Sequence, residues 1–208
     1  MPLRRRRVGG EGGTLVAQLL AVALAEQALA GGERGADVDE TPQPGERAGD
    51  YAKRIAGAKC DAVAATRDPA SPLPIVGADT IVVVDDKILG KPGDEDGARA
   101  MLTALAGRRH EVLTAYRVRA RERVVERTVT TAVGFRALRP AELDAYLASG
   151  EWRGKAGAYA IQGIAAAFAS ELRGSVTNVI GLPVAELLAD LQALDALPGY
   201  PPPSFGAR

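Results

Sequence analysis

One acidic residue interrupts an apolar segment of this chain. Ile75–Val84, with the sequence IVGADTIVVV, has the length and the β-branched residues of a strand, yet Asp79 stands near its centre. A buried carboxylate is costly unless it is ion-paired, hydrogen-bonded or bound to a metal. Either Asp79 caps a neighbouring backbone turn, or it belongs to a site for a charged ligand, to which the small residues Gly77 and Ala78 leave access. The segment therefore predicts a buried strand and makes Asp79 the first candidate for function.

Composition and charge exclude several classes of protein. The chain has 208 residues, enough for one sizeable core, and its 26 basic residues balance its 26 acidic ones. Such a balance predicts no nucleic-acid partner and no membrane partner, so local charges must hold any anionic ligand. The single cysteine, Cys60, excludes an internal disulfide, and no His/Cys cluster indicates zinc. We expect Cys60 to be an ordinary packed residue, because the only histidine, His110, lies in a different segment.

Hydrophobic spacing and turn residues predict a mixture of helices and strands along the chain, which indicates an α/β protein. Tyr51–Thr66 is predicted to be a helix with Ile55, Ala58, Ala62 and Val63 on its apolar face. The other predicted elements are the strand Ile75–Val84, a helix capped by Asp94 and ended by Gly107, hairpin strands Glu111–Ala120 and Val124–Phe135, a helix from Pro140 to Gly150, the strand Ala165–Leu172 and the helix Pro183–Leu194.

A few charged residues near the predicted strand ends are suited to phosphate chemistry. Glu40 lies in a loop with the sequence DVDET, Lys59 lies on the first helix, and Lys91 lies in a Gly-Lys-Pro segment. Each of them alone is typical of a solvated surface charge. Together with Asp79 they provide oxygen ligands for a hard divalent cation and ammonium groups for phosphate. The chain contains no Walker A loop, no G-x-G-x-x-G after a strand and no G-x-S-x-G, so P-loop, Rossmann and serine-hydrolase sites are not expected.

Six segments of distinctive sequence follow one another along the chain. They are DVDET (37–41), KRIAGAKCDAVA (53–64), VGADTIVVVDDKILGKP (76–92), GRRHEVLTA (107–115), YLASGEWRGKAGAYAIQG (146–163) and SVTNVIGLPVAE (175–186). In this order they resemble the Maf family, the septum-formation-inhibitor-like nucleoside triphosphate pyrophosphatases. The resemblance covers roughly Arg34 to Leu188, and six blocks in order make it far more specific than a single motif.

The resemblance implies a fold and a reaction. The fold is α/β, similar to that of the inosine-triphosphate pyrophosphatases, with a mixed sheet, flanking helices and two lobes around a cleft. The implied reaction is hydrolysis of a nucleoside triphosphate to the monophosphate and pyrophosphate with a divalent metal cation such as magnesium or manganese. A homodimer and a cytoplasmic location are expected as well.

The resemblance also assigns roles to individual residues. Asp79 matches the family's catalytic acid, a proton acceptor, and with Glu40 it is expected to hold the metal. Whether Asp79 takes the proton of the attacking water or holds the cation that acidifies it stays open at this point. Lys59 and Lys91 match phosphate-binding positions. Thr80 and Gln162 match positions that separate subfamilies, and this pair is similar to the branch that acts on dTTP and UTP rather than on 7-methyl-GTP.

The N-terminal segment departs from the family pattern. A Ser-x-Ser-Pro-Arg-Arg loop normally precedes the DET block, but residues 1–33 lack it and contain Arg4–Arg7 followed by the apolar run Thr14–Ala30. Three hypotheses explain the departure: a shifted reading frame, a genuine divergence, or an export signal, the last disfavoured because nucleoside triphosphates are scarce outside the cytoplasm. We therefore expect a divergent segment at 1–33, the pyrophosphatase domain at 34–195 and a Pro-rich tail at 196–208. The missing loop leaves an alternative function, a catalytically impaired nucleotide-binding protein that regulates septation.

Overall fold

The computed structural model describes residues 38–68 and 70–197, and the predictions for residues 1–33 and for most of the tail lie outside them. Helices and strands are mixed along the described chain, and two short 3₁₀ helices, Ala156–Ala158 and Ile164–Ala167, precede the last strand. The elements are α1 (Ala48–Thr66), β1 (Ile75–Val84), β2 (Lys87–Leu89), α2 (Glu95–Leu105), β3 (Arg109–Ala120), β4 (Arg123–Phe135), α3 (Pro140–Ser149), β5 (Ala169–Arg173), α4 (Val176–Ile180) and α5 (Val184–Ala193).

The strands form a five-stranded sheet in the order β2-β1-β3-β4-β5. All four pairings of this sheet are antiparallel, whereas the resemblance implied a mixed one. Short turns join β1 to β2 and β3 to β4, and such turns favour antiparallel neighbours. The α/β class with flanking helices is confirmed.

Helices cover both faces of the sheet. Tyr51, Ala52, Ile55 and Ala56 of α1 pack against one face, where Ile81 of β1 is buried. The opposite face carries two further clusters. Tyr116 and Val118 pack there against Leu187 and Leu191 of α5, while Val82, Val112 and Val133 pack against Leu102, Tyr146 and Trp152. No helix within the two described stretches is long and apolar enough to cross a bilayer.

Several predicted boundaries are confirmed by local interactions. The first strand has the predicted bounds, Ile75–Val84. Asp94 caps α2, because its Oδ1 accepts a hydrogen bond from the Gly97 amide at 2.7 Å. Gly150 ends α3 with a left-handed backbone, φ 73°. Cys60 is buried, as expected.

Two expectations are wrong in detail, and one short helix was missed. The predicted strand Ala165–Leu172 begins as a 3₁₀ helix and becomes a strand only at Ala169. The buried face of α1 includes Tyr51 and Cys60 rather than Ala62 and Val63, because the helix begins three residues earlier and its first half packs on the sheet. The short helix α4 was not predicted, since its β-branched residues favour a strand.

Gly77 explains how closely α1 approaches the sheet. A methyl group built at this position would lie 2.5 Å from the backbone nitrogen of Cys60 and closer still to the carbonyl oxygen of Ala56. Gly77, two residues before Asp79, therefore makes room for a helix, not for a ligand as the sequence led us to expect. This contact places α1 directly above the strand that carries Asp79.

Candidate active site

The alternation of side chains along β1 determines which face Asp79 occupies. Residues two apart on a strand share a face, so Asp79 lies on the same face as Gly77 and Ile81, beneath α1. The Asp79 side chain is 11% exposed and lies at the edge of this packed surface. A carboxylate so placed needs a partner of opposite charge.

Lys59 of α1 provides that partner. It follows buried Ile55 by one helical turn, so it projects from the same face of the helix towards β1. Its Nζ donates a hydrogen bond to Asp79 Oδ1 at 2.7 Å and lies 2.7 Å from Glu40 Oε1. One ammonium group therefore bridges two carboxylates that are far apart in the sequence.

Glu40 and Lys91 form the outer part of the cluster. Lys91 follows β2, and its Nζ lies 3.9 Å from Glu40 Oε2. The side chains become more exposed outwards, from 21% for Lys59 to 40% for Glu40 and 61% for Lys91. The cluster thus runs from a buried acid to a solvent-facing lysine.

Burial and the shared lysine shift the protonation of these groups. Burial raises the pKa of Asp79 above its ordinary value, although the hydrogen bond from Lys59 acts in the opposite direction. The hydrogen bond from Lys59 lowers the pKa of Glu40. Burial alone would lower the pKa of Lys59, but its hydrogen bonds to Asp79 and Glu40 outweigh burial and raise it. Lys59 is therefore charged and Glu40 is ionised, whereas burial makes Asp79 a stronger base than an ordinary aspartate.

The donor set fits a hard divalent cation. Glu40 and Asp79 direct carboxylate oxygens at one point that a cationic group already occupies, the Lys59 ammonium. Within residues 38–68 and 70–197, no group of three or more His, Cys, Asp or Glu could hold a metal ion. Magnesium and manganese fit such a pair, because they accept one or two carboxylates and complete their coordination with water and phosphate oxygens. Glu40 and Asp79 are the residues that would hold the ion.

Thr80 lies on the other face of the sheet. It pairs with Thr114 of β3, and its hydroxyl lies 2.8 Å from the Thr114 hydroxyl and 3.2 Å from the carbonyl oxygen of Gly181. In the described geometry Thr80 supports the segment after α4 and points away from Asp79. Direct contact of Thr80 with substrate stays a prediction, and sequence adjacency to Asp79 is not evidence for it.

Gln162 is exposed in the turn before the second 3₁₀ helix. Its side chain has no hydrogen-bond partner among the residues described here, so its amide donor and acceptor are available to a ligand. Glu151 fixes the end of this turn, because its Oε2 accepts a hydrogen bond from the Ile164 amide at 2.8 Å. Earlier in the same segment, the Gly157 amide donates to the carbonyl oxygen of Gly90, next to Lys91, at 3.0 Å.

Two residues near the cluster were missed by the sequence analysis. The Tyr51 hydroxyl donates to the carbonyl oxygen of Glu40 at 2.8 Å, and Arg54 Nη2 donates to the carbonyl oxygen of Thr41 at 3.0 Å. Tyr51 and Lys59 are eight residues apart on α1 and therefore share a face. That spacing could have indicated that Tyr51 and Lys59 lie on one face of the helix. Nothing in the sequence indicated that the loop of Glu40 packs against this face.

Comparisons with known proteins identify the family of this chain. Residues 18–194 match the family described as Maf-like protein. A Cereibacter sphaeroides protein named dTTP/UTP pyrophosphatase is 48% identical over 164 residues, which cover 79% of this chain and 83% of the relative. A protein of the same name from Anaeromyxobacter dehalogenans is 46% identical over 184 residues, covering 86% of this chain and 89% of the relative. A third, from Geobacter sulfurreducens, is 47% identical over 163 residues, covering 77% of this chain and 84% of the relative.

These matches extend over most of the chain and include the strand and helix that carry Asp79 and Lys59. Relatives of this similarity, together with the family match, show that the chain belongs to the Maf-like protein family.

Proposed function

We propose that this protein is a nucleoside triphosphate pyrophosphatase, a hydrolase that converts dTTP, UTP and modified pyrimidine nucleotides to the monophosphate and pyrophosphate. The observation that carries the proposal is the bridge from Lys59 Nζ to Asp79 Oδ1 and Glu40 Oε1, both at 2.7 Å. It joins three of the residues that the family resemblance assigns to catalysis, metal and phosphate. The relatives named dTTP/UTP pyrophosphatase support the choice of reaction and substrate.

The proposed chemical step is attack of water on the α-phosphorus. The water oxygen forms a bond to that phosphorus, the bond to the bridging oxygen of the β-phosphate breaks, and pyrophosphate leaves. Asp79 accepts the proton that the water loses. The pKa of Asp79, raised by burial, suits this role, because a proton acceptor works best when its pKa approaches the working pH.

The other residues of the cluster bind and orient the triphosphate. A divalent cation held by Glu40 and Asp79 would neutralise phosphate charge when it is bound. Lys59 and Lys91 act as point charges for phosphate oxygens, with Lys91 at the more exposed end. Gln162 offers one amide donor and one acceptor to the O4 and N3–H edge of a pyrimidine.

The alternative, a nucleotide-binding protein without catalytic power, is not favoured. The similar relatives bear the name of an enzyme, and the acids and lysines of the cluster lie together within the described residues. We also propose a cytoplasmic location, where the substrates are abundant, and a homodimer, which sedimentation velocity would detect. The homodimer rests on the family resemblance.

The experiment that tests the function uses the full-length protein with Mn²⁺ or Mg²⁺ in water enriched in ¹⁸O. We expect dTTP and UTP to yield pyrophosphate and monophosphate in equal amounts, with the ¹⁸O atom in the monophosphate and faster turnover than with dCTP or GTP. Release of inorganic phosphate and a diphosphate would contradict the proposal. So would an absence of turnover with nucleotide binding retained, which would favour the alternative.

A further inference from the structure

The loop that carries Glu40 has little regular structure of its own. Residues 38–47 form neither helix nor strand, and the Glu40 side chain is substantially exposed. A carboxylate on such a loop is costly to fix, because each ordered residue loses conformational freedom. Something outside the loop must hold Glu40 where Lys59 and Asp79 meet it.

Tyr51 holds the backbone of Glu40 itself. Its hydroxyl donates a hydrogen bond to the Glu40 carbonyl oxygen at 2.8 Å. The side chain is only 7% exposed and belongs to the cluster that includes Ile55 and Ile81. Core packing fixes the Tyr51 ring and therefore the position of its hydroxyl.

Arg54 holds the loop on the other side of Glu40. Its Nη2 donates to the Thr41 carbonyl oxygen at 3.0 Å, while Nε and Nη2 bind the two carboxylate oxygens of Glu46 at 2.7 and 2.8 Å. This forked contact joins the middle of the loop to its end. The guanidinium also lies over the Tyr51 ring, 5.4 Å from its centroid, so the two side chains support each other.

Two residues of α1 thus bind Glu40. Tyr51 binds the backbone carbonyl of Glu40, and Lys59 binds the side-chain carboxylate of Glu40. We infer that Tyr51 and Arg54 are positioning residues that preorganise the Glu40 loop for a divalent cation. This inference rests on the proposed function, in which Glu40 and Asp79 hold that cation. Partners of this kind, one contact removed from the ligand, typically change metal affinity about 10- to 100-fold when they are lost.

The test measures Mn²⁺ binding directly, from the loss of the electron paramagnetic resonance signal of free Mn²⁺. Titrations use the full-length protein, with and without α,β-methylene-dTTP, which cannot be hydrolysed at the bond in question. Tyr51→Phe keeps the buried ring and removes only the hydroxyl. We expect its Kd for Mn²⁺ to rise about tenfold, and the Mn²⁺ concentration for half-maximal pyrophosphate release to rise by a similar factor.

Two further variants separate positioning from stability. Arg54→Gln should weaken Mn²⁺ binding in the same direction, and it replaces Tyr51→Phe if that protein does not fold. Arg47→Ala is the matched control, because exposed Arg47 immediately precedes the same helix and its side chain binds only Asp50 among the described residues. Its Kd should equal that of the parent protein.

Parent-like Mn²⁺ affinity in a folded Tyr51→Phe or Arg54→Gln protein would overturn the inference. A parent protein that binds no Mn²⁺ with or without the analogue would overturn it too. A parent that binds Mn²⁺ but releases no pyrophosphate would refute the proposed function alone, because the affinities of parent and variants would still decide whether Tyr51 and Arg54 position the loop.

Discussion

Replacing Gly77 by alanine tests whether α1 is seated directly on the strand of Asp79. The added methyl carbon would lie 2.5 Å from the Cys60 backbone nitrogen, whereas an unstrained contact requires roughly 3.5 Å. The helix must therefore move away by about 1 Å, since a backbone atom cannot rotate aside as a side chain can. Overpacking of this kind costs about 1–3 kcal/mol, and we expect the upper end because the opposing atoms belong to a helix backbone.

Thermal unfolding measures this effect directly. A loss of about 3 kcal/mol corresponds to a fall in Tm of roughly 6–12 °C for a protein of this size. Pyrophosphate release should fall as well, because Lys59 precedes Cys60 on the displaced helix. Gly49→Ala is the matched control. Gly49 lies on the same helix with nothing within 4 Å of a built methyl group, so alanine should stabilise the protein by about 0.5–1 kcal/mol.

Two results would refute this reasoning. A Gly77→Ala protein with the Tm of the parent would show that α1 does not contact β1 at this residue. An equal loss in Gly77→Ala and Gly49→Ala would show that the destabilisation comes from alanine in general rather than from the close approach.

Three other predictions concern ionisable side chains that are largely buried: His110, Asp190 and Asp79. Burial lowers the pKa of His110 to about 4, so its contribution to stability is complete above the unfolded value and is lost as the pH falls from 6.5 towards 4. Urea titrations should show a loss of about 2 kcal/mol between about pH 7.5 and pH 5 that is absent in His110→Gln. Asp190→Asn removes the charge partner of half-exposed Arg127 and weakens the hydrogen bond from the buried Tyr116 hydroxyl, and it should lower the free energy of unfolding by about 1–2 kcal/mol in the same titration. Burial raises the pKa of Asp79, whereas the hydrogen bond from Lys59 lowers it. In Lys59→Met the acid limb of the kcat/KM profile for dTTP should therefore move to higher pH. An acid limb at the parent's pH would contradict the assignment of Asp79 as the proton acceptor.

The sequence predicted the parts of the fold that depend on local pattern. The β-branched run at Ile75–Val84, the cap at Asp94 and the glycine at Gly150 each carry their own physical reason, and each has its predicted structure. The helix α4 has no such local signal, because its stability comes from contacts distant in the sequence. The fully buried side chain of Asn178 donates a hydrogen bond to the carbonyl oxygen of Val112 at 3.0 Å.

The charged residues of the candidate site could be predicted from the sequence, but the packing that holds them in place could not. Glu40, Lys59, Lys91 and Asp79 were chosen from residue type and family resemblance, and the fold brings all four together. The face that Thr80 occupies follows from strand alternation once Asp79 is known to lie under α1. That α1 covers this face depends on tertiary packing, which local sequence patterns do not encode.

The most direct test of the account is pyrophosphate release from dTTP by Asp79→Asn, measured against the parent protein and against Asp86→Asn. Asp86 is exposed in the turn after β1 at φ 60°, a left-handed conformation that asparagine tolerates, so its variant should match the parent. Asparagine at position 79 can still accept the hydrogen bond from Lys59 but cannot accept the proton of water. We predict that turnover falls about 10²- to 10⁴-fold while the Tm stays close to that of the parent. An Asp79→Asn protein that releases pyrophosphate at the parent's rate would contradict the central claim.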